Sequence, residues 1–133
     1  MSNVSAMIDS HPQGRSVDKQ LLAECIEACF SCAQTCTACA DACLSEDSVA
    51  DLRDCIRTDL DCADICAATG TVLTRLTGSN TATVRALLEA CRTACAECAA
   101  DCEEHADHHE HCRIFAEACR RCEKACAALL ESL

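Results

Sequence analysis

The chain has 133 residues, of which only three are glycine, one is proline and two are aromatic, both phenylalanine. This length predicts one domain that buries a single core without disulfides or a structural metal, and the scarcity of helix breakers favours an all-α fold. The formal net charge of −11 argues against nucleic acid and anionic membranes as partners, because both carry negative charge.

Residues 1–16 are predicted to form a tail with at most a short helical turn, because they contain Pro12 and Gly14 and show no sustained hydrophobic period. They lack the basic and apolar segments of a secretion signal, and no window of the chain reaches the ~18 apolar residues of a membrane-spanning helix. We therefore expect a cytoplasmic protein whose thiols stay reduced. The odd number of cysteines, 17, fits this expectation, since they cannot all pair within the chain.

Two long helices are predicted after the tail. The first runs from about Val17 to Leu44. The second starts at Ser48, a plausible N-cap with an acidic residue three positions later, and ends at about Leu76 because Gly78 favours a helix stop.

A third helix is predicted to start at a cap formed by Asn80 or Thr81 and to continue to about Asp107 or His109. The fourth takes the remaining chain to about Leu130. Connections this short make consecutive helices antiparallel, so the sequence predicts an up-down-up-down four-helix bundle.

The cysteines follow the core-facing period of these helices. In the first helix they are separated by 4, 3, 4, 3 and 4 residues, a spacing at which bundles normally carry Leu or Ile. The full set is Cys25, Cys29, Cys32, Cys36, Cys39, Cys43, Cys55, Cys62, Cys66, Cys91, Cys95, Cys98, Cys102, Cys112, Cys119, Cys122 and Cys126. Residues 17–133 are therefore predicted to form one bundle domain with a cysteine-lined core.

The two ends of this bundle are predicted to differ. At one end, here called the aliphatic end, the core-facing positions are Leu22, Thr69, Leu73, Leu76, Val84, Leu88 and Leu129. At the other end, here called the histidine end, the third helix continues into His105 and His109, with His108 and His111 beside them, and the second helix contributes Asp59. This contrast predicts a closed base and a polar opening lined by imidazoles.

The chemistry of the thiols favours Cu(I). Seven Cys-x-x-x-Cys pairs place their Cβ atoms about 5 to 6 Å apart on one helix face, so two sulfurs can bind one ion and a facing helix can supply a third. Thiolates are soft ligands suited to Cu(I), whereas Zn²⁺ bound by four thiolates leaves a net charge that is costly to repeat in an apolar core. The candidate ligands are all 17 cysteines together with His105, His109, His111 and Asp59.

Other interpretations of the cysteines remain open at this stage. They could act as small apolar core residues, form interhelical disulfides or cycle between dithiol and disulfide in a redox protein. A copper chaperone with one or two exchangeable sites is a further alternative. Cys-x-x-Cys pairs also occur, but they lie within helical periodicity and not in the turns of zinc ribbons or thioredoxin-like motifs. No Glu-x-x-His or His-Glu-x-x-His motif indicates an enzyme.

The segment His108–Cys126, HHEHCRIFAEACRRCEKAC, together with the Cys-x-x-x-Cys pairs before it, resembles the four-helix-bundle copper storage proteins of the bacterial cytosolic type. The resemblance covers roughly Val17 to Leu133. It implies many Cu(I) ions along the bundle axis, a homotetramer, and metal access at the histidine end. Asp59, Thr69 and Phe115 interrupt the cysteine pattern.

We therefore expect a non-enzymatic store that sequesters Cu(I) and limits its toxicity, with copper ions as the cargo and a copper chaperone as a possible donor or acceptor.

Overall fold

The computed structural model describes residues 2–13, 16–75 and 80–133, and these ranges contain helices but no β-strand. The helices are α1 (Val4–Asp9), α2 (Lys19–Leu44), α3 (Arg53–Thr74), α4 (Thr81–Glu103) and α5 (Glu110–Ser132), with a 3₁₀ helix at Val49–Leu52. The all-α prediction is therefore confirmed. Within the same ranges, no helix has the combination of length and apolar character needed to cross a membrane.

Helices α2 to α5 form an antiparallel bundle in which each packs against two neighbours. α2 packs against α3 and α5, and α4 packs against the same two helices. The sulfur atoms show the direction of α2 and α5: Cys25 lies 3.8 Å from Cys126, and further along, Cys32 lies 3.8 Å from Cys119. One number rises as the other falls, so these helices run in opposite directions.

Helices α3 and α4 are antiparallel by the same criterion. The Sγ atoms of Cys55 and Cys102 lie 3.1 Å apart at one end, and those of Cys66 and Cys91 lie 3.9 Å apart towards the other. The predicted up-down-up-down topology is confirmed.

Helices α2 and α3 begin differently. Asp18 is the N-cap of α2, and its Oδ1 accepts a hydrogen bond of 3.0 Å from the backbone N–H of Leu21. Ser48, the predicted cap of the second long helix, makes no side-chain capping bond. It precedes the 3₁₀ helix, which buries Leu52 before α3 begins at Arg53.

α4 ends earlier than predicted. It stops at Glu103, so the expectation that it continues to Asp107 or His109 is wrong. A turn follows in which the backbone N–H groups of His108 and His109 both donate to the carbonyl of His105. Acidic side chains at 103, 104 and 107 oppose helix extension because the C-terminal end of a helix is already negative.

The predicted tail contains the six-residue helix α1, which is longer than the single turn expected. Val4 and Ile8, four residues apart, share one helical face; Ile8 is buried, and α1 packs against α2. Ser2 also donates a hydrogen bond of 2.6 Å to Glu27 on α2. Residue Gly14 lies outside the described residues.

The aliphatic end is closed by large side chains. Leu22, Leu73, Leu88 and Leu129 are each 0% exposed, so all four bundle helices contribute a leucine there. Thr69 is also fully buried, and its hydroxyl donates a 2.7 Å hydrogen bond to the carbonyl of Ile65. Leu76 and Gly78, the predicted end and stop of the second long helix, lie outside the described residues.

Candidate metal centre

All 17 cysteines are buried and none forms a disulfide. Their sulfur atoms approach one another both along a helix and across the core. Along α3, the Sγ atoms of Cys62 and Cys66 are 3.8 Å apart, and the Sγ of Cys95 on α4 lies 3.8 Å from the first and 3.6 Å from the second. We call this continuous set of buried sulfurs the thiol column.

The sulfurs of the thiol column gather into groups that could each hold an ion. In each of these groups the ligand atoms lie within 4.8 Å of one another. Three of the groups are Cys29/Cys91/Cys122/Cys126, Cys32/Cys66/Cys95/Cys122 and Cys32/Cys36/Cys62/Cys119. Cys32 and Cys122 each belong to two groups, so neighbouring groups share sulfurs. Such an arrangement suits bridging thiolates in a polynuclear cluster better than isolated tetrahedral centres.

Phe115 interrupts this pattern on α5. It is 0% exposed and lies in the chain between Cys112 and Cys119, so a fully buried ring takes a core-facing position that would otherwise carry a sulfur. The interruption predicted from the sequence is therefore filled by apolar packing.

Asp59 is a carboxyl group within the thiol column. It is 0% exposed, and its Oδ1 accepts from the thiols of Cys98 at 3.2 Å, Cys102 at 3.5 Å and Cys55 at 3.8 Å. Its Oδ2 is buried and makes no hydrogen bond within the described part of the chain. Burial, reinforced by neighbouring thiol groups including that of Cys39, raises the pKa of Asp59 to about 11. The carboxyl is therefore neutral in the metal-free protein, and its second oxygen is a candidate ligand atom.

His111 joins the thiols at the histidine end. Its Nδ1 lies 3.5 Å from the Sγ of Cys39 and 3.6 Å from the Sγ of Cys112, and these atoms form a group with Cys43 that could hold an ion. The side chain of His111 is 28% exposed. An imidazole thus connects the buried sulfurs with the surface.

Cys39 and Cys112, which both lie next to His111, differ in acidity. Hydrogen bonding with Cys102 is the largest cause, opposed by burial and assisted by His111 and Asp59, and together these lower the pKa of Cys39 to about 5. Burial has the opposite effect on Cys112, whose pKa rises to about 12. A thiolate is the metal-binding form of cysteine, so Cys39 is already suited to bind an arriving ion at neutral pH.

The other histidines are placed differently from the prediction. Because α4 ends at Glu103, His105 lies in the turn after it and His109 is the N-cap of α5. His109 and His111 stack, with ring centroids 5.5 Å apart and planes at 26°. The side chain of His105 makes no hydrogen bond or ion pair with any residue that the structure describes, and His108 is exposed.

Glu46 is a residue of this site that the sequence analysis missed. It lies in the connection after α2, and its Oε2 contacts Nδ1 of His109 and lies 3.7 Å from Nε2 of His111. A connection residue has no periodicity that marks it as core-facing. The topology could have indicated Glu46, because the end of α2 and the start of α5 must meet at the same end of an antiparallel bundle.

The chain matches a known protein family. Residues 18–131 match the family model described as Csp, copper storage protein. No curated protein matches the chain.

Three solved structures are similar to the chain. The chain is 56% identical to the copper storage protein Ccsp from Streptomyces lividans, in a structure loaded with 10 copper equivalents, with a TM-score of 0.96 over 98% of this chain and 99% of that one. A structure of a cytosolic copper storage protein from Streptomyces lividans with five coppers is 60% identical, with a TM-score of 0.84 over 86% and 95% of the two chains. The Cu(I)-bound copper storage protein BsCsp3 is 33% identical, with a TM-score of 0.71 over 79% and 93%.

Proposed function

This chain belongs to the copper storage protein family, and we propose that it stores many Cu(I) ions on the thiol column inside its four-helix bundle. The observation that carries the proposal is the sharing of Cys32 and Cys122 between adjacent sulfur groups. Shared thiolates allow ions to follow one another along the axis, which gives capacity within a narrow core. The role is storage and detoxification without catalysis.

The donor set supports Cu(I) as the cargo. Cu(I) accepts two or three soft thiolate ligands, and one positive charge for each thiolate leaves the core close to neutral. Zn²⁺ prefers four ligands, and a centre with four separate thiolates would carry two negative charges in an apolar interior. The sharing of sulfurs also prevents adjacent groups from each having four thiolates of their own.

Copper access is proposed at the histidine end. Four leucines close the aliphatic end, whereas His111 is partly exposed and touches the sulfurs of Cys39 and Cys112. A neutral imidazole is a good but more easily replaced ligand than a thiolate, so it suits transfer of ions inward. Asp59 and His109 are proposed to contribute to binding near this end, and His105, which the structure places in the adjoining turn, to take a peripheral part.

The cellular setting is proposed from the relatives. One of them is described as a cytosolic copper storage protein, which supports a cytoplasmic location for this chain. A homotetramer and exchange of copper with a chaperone are proposed from the family resemblance alone. A single-site chaperone role fits poorly, because such a protein exposes its ligands to a partner whereas all the thiols here are buried.

The proposal is tested by titrating Cu(I) into fully reduced, metal-free protein and counting bound copper per chain after removing excess metal. We expect uptake of many ions per chain. One or two ions would favour a chaperone, and no retained copper would favour a thiol redox protein. A variant in which Cys32 and Cys122 are both replaced by serine should lose more capacity than a variant carrying serine at the exposed-face residues Thr37 and Thr71, which serves as the matched control.

A further inference from the structure

A single carboxylate oxygen lies between the two stacked imidazoles of the histidine end. Oε2 of Glu46 contacts Nδ1 of His109 directly and is 3.7 Å from Nε2 of His111. All three side chains are at least partly shielded from solvent, with exposures of 32% for Glu46, 16% for His109 and 28% for His111. The arrangement joins the connection after α2 to the start of α5.

The contact with Glu46 determines which nitrogen of His109 carries the hydrogen. A carboxylate can only accept, so Nδ1 of His109 must be the N–H donor and Nε2 keeps the lone pair in the neutral ring. An isolated imidazole side chain prefers the opposite tautomer, with the hydrogen on Nε2. The contact therefore selects the less favoured of the two neutral tautomers.

His111 lies further from the same carboxylate oxygen than His109 does. Its Nε2 is buried and has no hydrogen-bond partner among the described residues, but it faces the negative oxygen of Glu46 at 3.7 Å. Its Nδ1 points to the sulfurs of Cys39 and Cys112. Nδ1 is therefore the nitrogen of His111 that can donate to the Cys39 sulfur, and Glu46, 3.7 Å from Nε2, makes no hydrogen bond that would select the other tautomer.

We propose that Glu46 is a positioning residue that fixes the Nδ1–H tautomer of His109, so that Nε2 of this ring has the lone pair needed to bind Cu(I) on its way to the thiol column. The proposal rests on the function proposed above. Glu46 does not itself bind the metal. It acts as the outer partner of one candidate ligand, His109, a role in which carboxylates are common at metal sites.

This role predicts that the effect of removing Glu46 depends on His109. If Glu46 acts through His109, its removal matters only when His109 is present. Glu46→Ala should slow Cu(I) uptake about tenfold, the lower end of what loss of such a partner costs a metal site. In a His109→Ala background the same change should add little. Final capacity should not change, because the thiol column is intact.

The test combines tautomer and uptake measurements on full-length, reduced protein. Long-range ¹H–¹⁵N correlation spectra of the metal-free protein at one fixed pH should show the Nδ1–H form of His109 in the parent and a shift to Nε2–H in Glu46→Ala. Glu46→Asp should resemble Glu46→Ala, because the shorter side chain keeps the charge but loses reach. Glu104→Ala, which removes an exposed acid from the neighbouring turn, should resemble the parent.

Three outcomes would overturn the proposal: an Nε2–H tautomer of His109 in the parent, equal slowing by Glu104→Ala, or an undiminished effect of Glu46→Ala in the His109→Ala background. Should Glu46→Ala lower the helical signal, Glu46→Asp provides the same comparison, because its carboxylate is too short to reach His109. The spectra need no copper, so they decide the role of Glu46 even if the parent fails to store Cu(I), and that failure would be seen separately in the copper count.

Discussion

Oδ1 of Asp59 on α3 lies 3.2 Å from Sγ of Cys98 on α4, and the carboxyl group is 0% exposed. The contact places an acid among thiols. Within the described structure, no positively charged side chain pairs with it. Burial and the adjacent thiol groups raise the pKa of Asp59 to about 11. The folded chain therefore keeps a proton that the unfolded chain releases near pH 4.

The first prediction concerns stability and pH. Between about pH 4 and 11, the unfolded state has lost the Asp59 proton and the folded state has not, so the free energy of unfolding falls as pH rises, by at most about 1.4 kcal/mol per pH unit from this group. Asp59→Asn removes this titration. In urea denaturation of reduced, metal-free protein, the variant should become more stable relative to the parent from pH 5 to pH 7.

Asp61→Asn is the matched control, since Asp61 is exposed on the same helix. It should follow the parent at both pH values. Parallel stability curves for the parent and Asp59→Asn would show that Asp59 is ionised in the folded protein.

The second prediction is that the empty bundle is folded. Most neutral thiols can pack as small apolar groups, and leucines from all four bundle helices close the aliphatic end without metal. Chelator-treated, reduced protein should keep a strongly helical far-ultraviolet circular dichroism spectrum. A coil spectrum that becomes helical only with copper would place the folding energy in the metal–thiolate bonds.

The helices could be predicted from the sequence because their cysteines repeat every three or four residues, and this period is a direct record of which side faces the core. Helix ends are less well encoded. His105 and His109 continue the four-residue spacing, so the periodicity predicts that α4 continues past Glu103. The acidic residues near that end and the matching length of antiparallel α3 instead favour termination at Glu103.

The sequence predicted the cysteines of the site but not the contacts between its helices. The cysteines could be assigned to the core because their pattern is local, but the partners of His111 depend on how α2 and α5 meet. Glu46 was missed for that reason, and so was the tautomer it imposes. The short helix α1 escaped prediction because only Val4 and Ile8 form its packed face, too few residues to show a period.

The third prediction concerns metal choice. Binding converts thiol to thiolate, so Cu(I) loading near neutral pH should release close to one proton for each cysteine engaged. Cysteines that are already ionised, as Cys39 is with its pKa of about 5, release none. Proton release is measured in weakly buffered solution during titration. Copper capacity should persist in excess Zn²⁺, and equal uptake of zinc at about one ion per four cysteines would contradict the choice of Cu(I).

The fourth prediction separates the histidines. His111 contacts two sulfurs and His109 contacts Glu46, whereas His105 has no side-chain hydrogen bond in the described structure. Stopped-flow loading should therefore be slowed severalfold by His111→Ala and less by His105→Ala, with final capacity nearly unchanged in both. Replacing His105 and His109 together by phenylalanine should also slow uptake, mainly through His109. Parent rates in all three variants would mean that copper enters elsewhere.

The fifth prediction tests the closed end. Leu88 and Leu129 are fully buried there, on α4 and α5. Each change to alanine should destabilise the metal-free protein by roughly 2 to 5 kcal/mol, because it removes packed methyl groups and leaves a cavity. Leu60→Ala is the control, since Leu60 is 47% exposed and its truncation should cost much less. Uptake through the histidine end should stay close to the parent rate in every leucine variant that remains folded. Faster loading of Leu88→Ala or Leu129→Ala would instead show that these leucines block a second route into the thiol column. A cavity at the aliphatic end would then give ions direct access to the sulfurs furthest from the histidine end.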